Sequence, residues 1–222
     1  MNNGKYRALI NYGSGNHRLE QRSIPDVGND EILLKIGGCG ICAIDVRIYF
    51  GKPYLSGSSV VPGHEFYGQI AAIGEEIQKS TGYKIGDYVT AEQIIPCGKC
   101  RFCNSGKYWM CEIHHIHGFV HEKAEGGMQE YLKLSPRSRV HRLPTDSYDA
   151  KWTMVEPLAC ALHAVDRADV QFEDVVVLAG LGPIGMCMLQ IIKLKKPRLI
   201  IALDTFEYRL GMGDKLGADV LI

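Results

Sequence analysis

Thiols, imidazoles and carboxylates standing beside glycine or proline are the groups in this chain best suited to holding a metal, and they fall into two sets. The first is Cys97-Gly-Lys-Cys100-Arg-Phe-Cys103-Asn-Ser-Gly-Lys-Tyr-Trp-Met-Cys111, which puts four of the chain's eight cysteines into fifteen residues. The spacing C-x2-C-x2-C-x7-C suits zinc with four thiolate ligands, because short loops can wrap sulfurs tetrahedrally around one ion at about 2.3 Å. Gly98 and Gly106 permit the tight turns, and Lys99, Arg101 and Lys107 offset the excess negative charge. With sulfur at all four positions nothing is left for water or substrate, so the expected role is structural, a staple for its loop. Two disulfides or a cluster of thiols without metal are the competing reading.

The second set is scattered. Cys42 lies in GGCGICAIDVR, His64 in VVPGHEFYGQI and Glu156 in MVEPLAC. One thiolate, one imidazole and one carboxylate with an open fourth position is the composition of a catalytic zinc site. Singly these are weak signals, since a cysteine among glycines is commonly a small core residue and a His-Glu pair a hydrogen-bonded loop. His64 and Glu65 are neighbours, and on a regular strand they would face opposite sides. They can share one ion only if Pro62-Gly63 bends the backbone, or if one of them acts through water.

A third pattern points to a nucleotide. Gly180-Leu-Gly182-Pro183-Ile184-Gly185 follows VVVLA and opens an apolar helix. Gly180 permits the turn, Gly182 lets a pyrophosphate approach the backbone, and Gly185 allows close packing of helix on strand. The helix N-terminus adds unpaired N–H groups and a partial positive charge for that phosphate. Asp204 stands 22 residues beyond Gly182, at the end of the next apolar run. A carboxylate there can take both ribose hydroxyls and disfavours a 2′-phosphate, which predicts NAD over NADP. Arg209 could pair with that phosphate if the acid were absent.

Two kinds of periodicity must position these groups. From about residue 5 to 145, short apolar alternations broken by Gly, Pro, Asn and Asp (RALIN, EILLKI, EFYGQIAAIG, YVTAEQI, MQEYLKL) predict a β-rich, barrel-like domain. From about 150 onward DAKWTMVEPLACALHAVDRA reads as a helix interrupted near Pro157, and DVVVLAG as a buried strand. A helix over GPIGMCMLQIIKLKK, a strand over RLIIALD, a helix over FEYRLGMGDKLG and a third strand at ADVLI then predict a parallel sheet. The fold class is α/β plus β.

Composition excludes several functions. The 222 residues carry 25 basic and 25 acidic side chains, so there is no electrostatic footprint for nucleic acid or anionic membrane. No 18-residue apolar run is present, and MNNGKYRALIN lacks the apolar core of a signal peptide. The expected location is the reducing cytoplasm, where clustered cysteines bind metal more often than they form disulfides.

Together, GGCGICAID, PGHEFYG, the four-cysteine lobe, EPLACALHA and VLAGLGPIG stand in the order found in zinc-dependent medium-chain alcohol dehydrogenases, and the resemblance runs over essentially all 222 residues. EPLAC, in place of a cysteine-bearing segment, resembles the polyol and threonine dehydrogenase branch. GICAID with RFCNSGKYWMC is most similar to erythritol/threitol-type sugar-alcohol dehydrogenases. The resemblance implies a GroES-like catalytic domain over 1–150 and an incomplete Rossmann NAD-binding domain over 151–222, with a catalytic zinc in the cleft between them. It makes Cys42 and His64 zinc ligands, with Glu65 and Glu156 filling or exchanging at the remaining positions, and Asp45 a carboxylate that orients the His64 imidazole. It implies one catalytic and one structural zinc, NAD, a small polyol oxidised to a ketose by hydride transfer, and a homo-oligomer at full length.

Two departures affect the proton's path. Many relatives carry Ser or Thr two residues after the zinc cysteine, and often His five residues after it, as a relay. Here Ile44 and Arg47 stand there, so the proton must leave through water, Glu65, Glu156 or the substrate's neighbouring hydroxyl. The stretch HHIHGFVH, with His114, His115, His117 and His121, is expected to be a loop near the cleft, with His117 or Phe119 facing substrate. Cys39, Cys160 and Cys187 are expected to be buried packing residues. Three strands do not make the crevice in which a dinucleotide lies. The expectation is therefore an enzyme fragment or a short form whose sheet edge needs a partner. A zinc-binding module that folds without turnover, or a dehydrogenase of threonine or another secondary alcohol, is the alternative.

Overall fold

Period-2 burial is visible from the first strand, where Tyr6, Ala8 and Ile10 face inward and alternate with more exposed neighbours. The computed structural model describes residues 4–13, 15–51, 59–113, 115–119 and 124–222. By its contacts the chain divides into two units, one ending at Met154 and one running from Val155 to Ile222.

In the first unit, β1 (Lys5–Asn11) pairs antiparallel with β2 (His17–Ser23). β3 (Ile32–Gly40) leads into α1 (Ala43–Tyr49), β4 (Glu65–Ile73) leads into α2 (Glu75–Thr81), and β5 (Tyr88–Ala91) follows. β6 (Ile94–Ile95) and β7 (His115–Ile116) pair at the base of the cysteine-rich excursion, which holds α3 (Arg101–Asn104) and a 3-10 turn at Tyr108–Met110. β8 (Tyr131–Leu134) and β9 (Val140–Arg142) complete a five-stranded antiparallel sheet of order β8-β3-β4-β5-β9. Its buried face gathers Ile32, Leu34, Phe66, Ile70, Val89, Leu132 and Leu134 into one cluster. Each such side chain stabilises the fold by about 1.5–3 kcal/mol relative to exposure. The apolar pattern does not predict β2, because HRLEQRS is polar and mostly exposed. It is extended because β1 offers it a backbone edge along seven paired positions.

The second unit is α4 (Val155–Ala168), β10 (Val175–Ala179), α5 (Pro183–Lys195), β11 (Leu199–Leu203), α6 (Glu207–Leu216) and β12 (Val220–Leu221). The strands are parallel in the order β10-β11-β12, with Leu178, Leu181, Leu189, Ile192, Ile200 and Ala202 in the core between sheet and helices. The break expected near Pro157 falls earlier, between a 3-10 turn at Ala150–Met154 and α4. Pro157 then sits in the first helical turn, where a missing N–H costs no intrahelical bond.

Candidate metal centres and coenzyme turn

Strand register brings the scattered donors together. β3 and β4 pair with Cys39 opposite Phe66 and Gly40 opposite Glu65, so Cys42, just beyond β3, meets the residues that open β4. His64 precedes the strand, because Gly63 has φ +96° and turns the backbone. A Cβ on Gly63 would lie 2.6 Å from Cys39 Sγ, so packing as well as the backbone angle requires glycine there, whereas one on Gly40 would meet Glu65 Oε2, the flexible end of that side chain. As a result one donor atom each of Cys42, His64 and Glu65 lies within 4.8 Å of the others. Adjacent His64 and Glu65 therefore serve one point, by the bend that their sharing requires.

The surroundings fit a metal. His64 is buried, its ring lies 4.8 Å from that of Phe119, and its Nδ1 has no hydrogen-bond partner. A buried imidazole nitrogen without a partner is costly unless something binds the ring. Asp45 Oδ2 accepts the Cys42 backbone N–H at 2.8 Å, which places the thiol at the head of α1, while Oδ1 has no partner. Burial raises the Asp45 carboxyl above its ordinary value, against the pull of that N–H and of His64. Cys39 is different in kind: burial pushes its thiol up to about 12, so it packs as a neutral group. A thiolate, an imidazole and a carboxylate at this spacing fit zinc with one position for an oxygen ligand.

The sulfurs of Cys97, Cys100, Cys103 and Cys111 also lie within 4.8 Å of one another, and no disulfide joins any of the chain's cysteines. Backbone N–H groups point at the sulfurs, from Cys97 to Cys111 Sγ at 3.3 Å and from Cys100 to Cys97 Sγ at 3.4 Å. Gly98 and Gly106 take φ +73° and +77° to make the turns. The lobe is tied to the sheet by Tyr108, whose hydroxyl donates to Glu92 at 3.2 Å beneath the Arg139 guanidinium, 3.7 Å from the ring. His141 Nε2 reaches the same Glu92 oxygen at 3.0 Å.

In the second unit the glycine turn joins β10 to α5. Gly180 has φ +95°, Gly182 caps α5 with Pro183 next, and a Cβ on Gly185 would lie 1.9 Å from the Gly180 carbonyl oxygen. Nothing lies within 4 Å of a Cβ built on Gly182, which leaves its backbone open to a close ligand. Asp204 follows β11 and accepts the Leu181 N–H at 2.8 Å and the Phe206 N–H at 2.9 Å. Burial opposes its charge, but those N–H groups and Arg209, 3.5 Å away, hold its carboxyl below the usual value. The acid braces the turn. Arg209 is held over Phe206, 4.7 Å from the ring, and donates to Tyr208 Oη at 2.9 Å.

Other expected residues fall differently. Glu156 lies in the first turn of α4, where its Oε1 accepts from Cys160 Sγ at 3.3 Å. Cys187 is buried as expected, but Cys160 is exposed on α4, because its helix position lies off the face that buries Ala161 and Val165. His117 does not face a substrate. It is 1% exposed, with Nδ1 at 2.8 Å from the Glu125 carbonyl and Nε2 at 3.1 Å from Ser138 Oγ, and its ring meets Phe66. His115 is in β7, and His114 and His121 lie outside the described residues. Phe119 does approach the candidate centre, through His64. One histidine beside Asp45, His17, carries no motif that sequence reasoning could have found.

Comparison with known proteins shows the family and the fold. The family described as Alcohol dehydrogenase GroES-like domain matches residues 28–145. The erythritol/L-threitol dehydrogenase of Mycolicibacterium smegmatis is 37% identical over 98% of this chain, and the chain spans 62% of that protein's length. Among solved structures, an Escherichia coli CFT073 alcohol dehydrogenase complexed with NADH is 28% identical, with a TM-score of 0.87 over 99% of this chain and 62% of its own. A Sinorhizobium meliloti 1021 protein solved with NADP is 26% identical, with a TM-score of 0.89 over 98% of this chain and 61% of its own. Fold and site define a GroES-like unit followed by a parallel nucleotide-type sheet. The chain belongs to the zinc-type medium-chain alcohol dehydrogenase family. Among the described residues, no helix is long and apolar enough to cross a membrane.

Proposed function

We propose that this chain carries the zinc and coenzyme machinery of an enzyme that oxidises a sugar alcohol to a ketose by hydride transfer to NAD. The observation that carries the reading is the meeting of Cys42, His64 and Glu65 donors within 4.8 Å. Those three would hold the catalytic zinc, and Cys97, Cys100, Cys103 and Cys111 would hold a second, structural ion. Zinc, when bound, supplies Lewis acidity toward an alcohol oxygen. The chain's own residues do the rest. Asp45 fixes Cys42 through its N–H, and its second oxygen is available to orient an imidazole, which raises that ligand's basicity. Ile44 and Arg47 offer no hydroxyl or imidazole, so the substrate proton leaves through Glu65, through Glu156, which enters through the EPLAC motif, through water, or through a neighbouring hydroxyl of the polyol. Ionised Asp204 favours a ribose diol over a 2′-phosphate, which supports NAD. The erythritol/L-threitol relative supports a short polyol. Cysteines without disulfides fit a reducing cytoplasm.

The test is direct. Zinc-loaded protein is incubated with NAD and a panel of four- to six-carbon sugar alcohols, with threonine as a control, and NADH absorbance is followed. NADH formed with a polyol and not with threonine supports the reading. Two bound zinc ions with no NADH from any alcohol would instead identify a metal-binding module.

A further inference from the structure

Four buried side-chain polar atoms lack a hydrogen-bond partner among the described residues, and three of them belong to groups around one carboxylate: Asp45 Oδ1, His64 Nδ1 and His17 Nδ1. Asp45 feels the charge of both histidines. His64 is a candidate ligand, but His17 lies on β2, a strand without chemical motifs. It reaches the site because the β1–β2 turn is tied to the end of α1. The Gly15 N–H donates to the Tyr49 carbonyl at 2.6 Å, and the His17 ring lies 5.0 Å from that of Tyr49. Asp45 and Tyr49 are four residues apart on α1 and so share one helix face. His17 therefore packs on the face that carries Asp45.

The acceptor count leaves room for it. A carboxylate offers about four lone-pair positions. The Cys42 N–H uses one, on Oδ2, and the Gly63 backbone N–H also bonds the carboxylate. Oδ1 is buried with no donor, and an oxygen in that state is under-satisfied.

We propose that His17 is a positioning residue for the candidate zinc centre: its imidazole N–H, through one bridging water, holds the Asp45 carboxylate in the orientation that fixes Cys42 and His64. This rests on the reading that Cys42, His64 and Glu65 hold zinc. His17 touches neither the metal nor the substrate and acts through Asp45.

The experiment measures zinc affinity of each centre by competition with a chromogenic chelator, in wild type, His17→Leu and His17→Asn. Leucine and asparagine have nearly the same shape, and only the amide puts a polar group where Nδ1 stands. His17→Leu should weaken the Cys42 centre about 10-fold or more, the scale of a lost partner behind a metal ligand. The four-cysteine lobe should keep its affinity, and His17→Asn should recover most of the loss. With cobalt(II) as the probe, the visible bands of the Cys42 centre should shift in His17→Leu and return in His17→Asn. Unchanged affinity in His17→Leu overturns the proposal, and so does an equal loss in both variants, which would make His17 a packing residue only. If His17→Leu does not fold, His17→Asn is compared with His17→Gln, whose amide reaches the Nε2 position instead; equal affinities overturn the proposal. Wild-type protein that binds zinc at the four-cysteine lobe alone would remove the underlying site reading, a failure distinct from the others.

Discussion

One backbone angle lets two adjacent side chains serve a single point. Gly63 at φ +96° turns the chain between Pro62 and His64, and a methyl group there would strike Cys39 Sγ. Gly63→Ala should therefore cost about 1–3 kcal/mol through the angle alone. It should also lower zinc uptake from two ions to one, measured by elemental analysis on folded protein. Asp204 braces the Leu181 N–H, and under the proposed function the same carboxylate selects the coenzyme. Asp204→Ala should reduce the NAD-over-NADP ratio of kcat/KM by on the order of tenfold or more, the scale of a lost charged hydrogen bond. Equal use of both coenzymes by the unmodified protein would refute that role. Glu156→Gln should lower turnover roughly 100-fold, the scale of a lost general base. Zinc content on the same variant separates base from ligand, and full rate with full zinc would leave Glu156 with neither role.

At the scale of elements, the cysteine-rich lobe is an excursion between β6 and β7 with little core of its own. Its helices are four and three residues long, and α3 and the 3-10 turn bury no residue. Such a segment needs a cross-link to hold its shape, and a four-thiolate metal site supplies one. Cys100→Ala should leave one zinc per chain and lower the melting temperature. Trp109 sits inside the lobe and is 47% exposed, so its emission should shift to the red when a chelator strips the metal. Emission that ignores both the chelator and the substitution would rule out a metal-held lobe. The tie through Tyr108, Glu92 and His141 carries the same logic, since it fastens the lobe to the end of β5, where Glu92 stands, and to β9, which holds His141.

At the scale of the whole molecule, stability should follow one buried histidine. Burial lowers His117 from an ordinary 6.5 to about 4. The unfolded chain therefore takes up the proton first as pH falls. The contribution is complete above about pH 6.5, is lost between there and about pH 4, and stays lost below, a total of about 3 kcal/mol. Urea midpoints at pH 7 and pH 4.5 should differ more in wild type than in His117→Asn, and that difference isolates the histidine from the carboxylates. Equal pH dependence in the two proteins would contradict the buried neutral imidazole.

What the sequence determined by itself is local in the chain. The four cysteines within fifteen residues converge, the glycine turn joins VVVLA to its helix, and the apolar alternations form β1, β3, β4 and β8, because neighbours in sequence must be neighbours in space. What tertiary structure decided lies across strand pairings. Cys42 meets Glu65 because Gly40 pairs with Glu65, and a slip of one residue would turn every side chain to the other face. The same dependence sends His117 into the core rather than toward substrate, exposes Cys160, and carries His17 on a polar strand to the face of α1. Register is set by which faces bury together over long separations, and no short window of residue types contains that information.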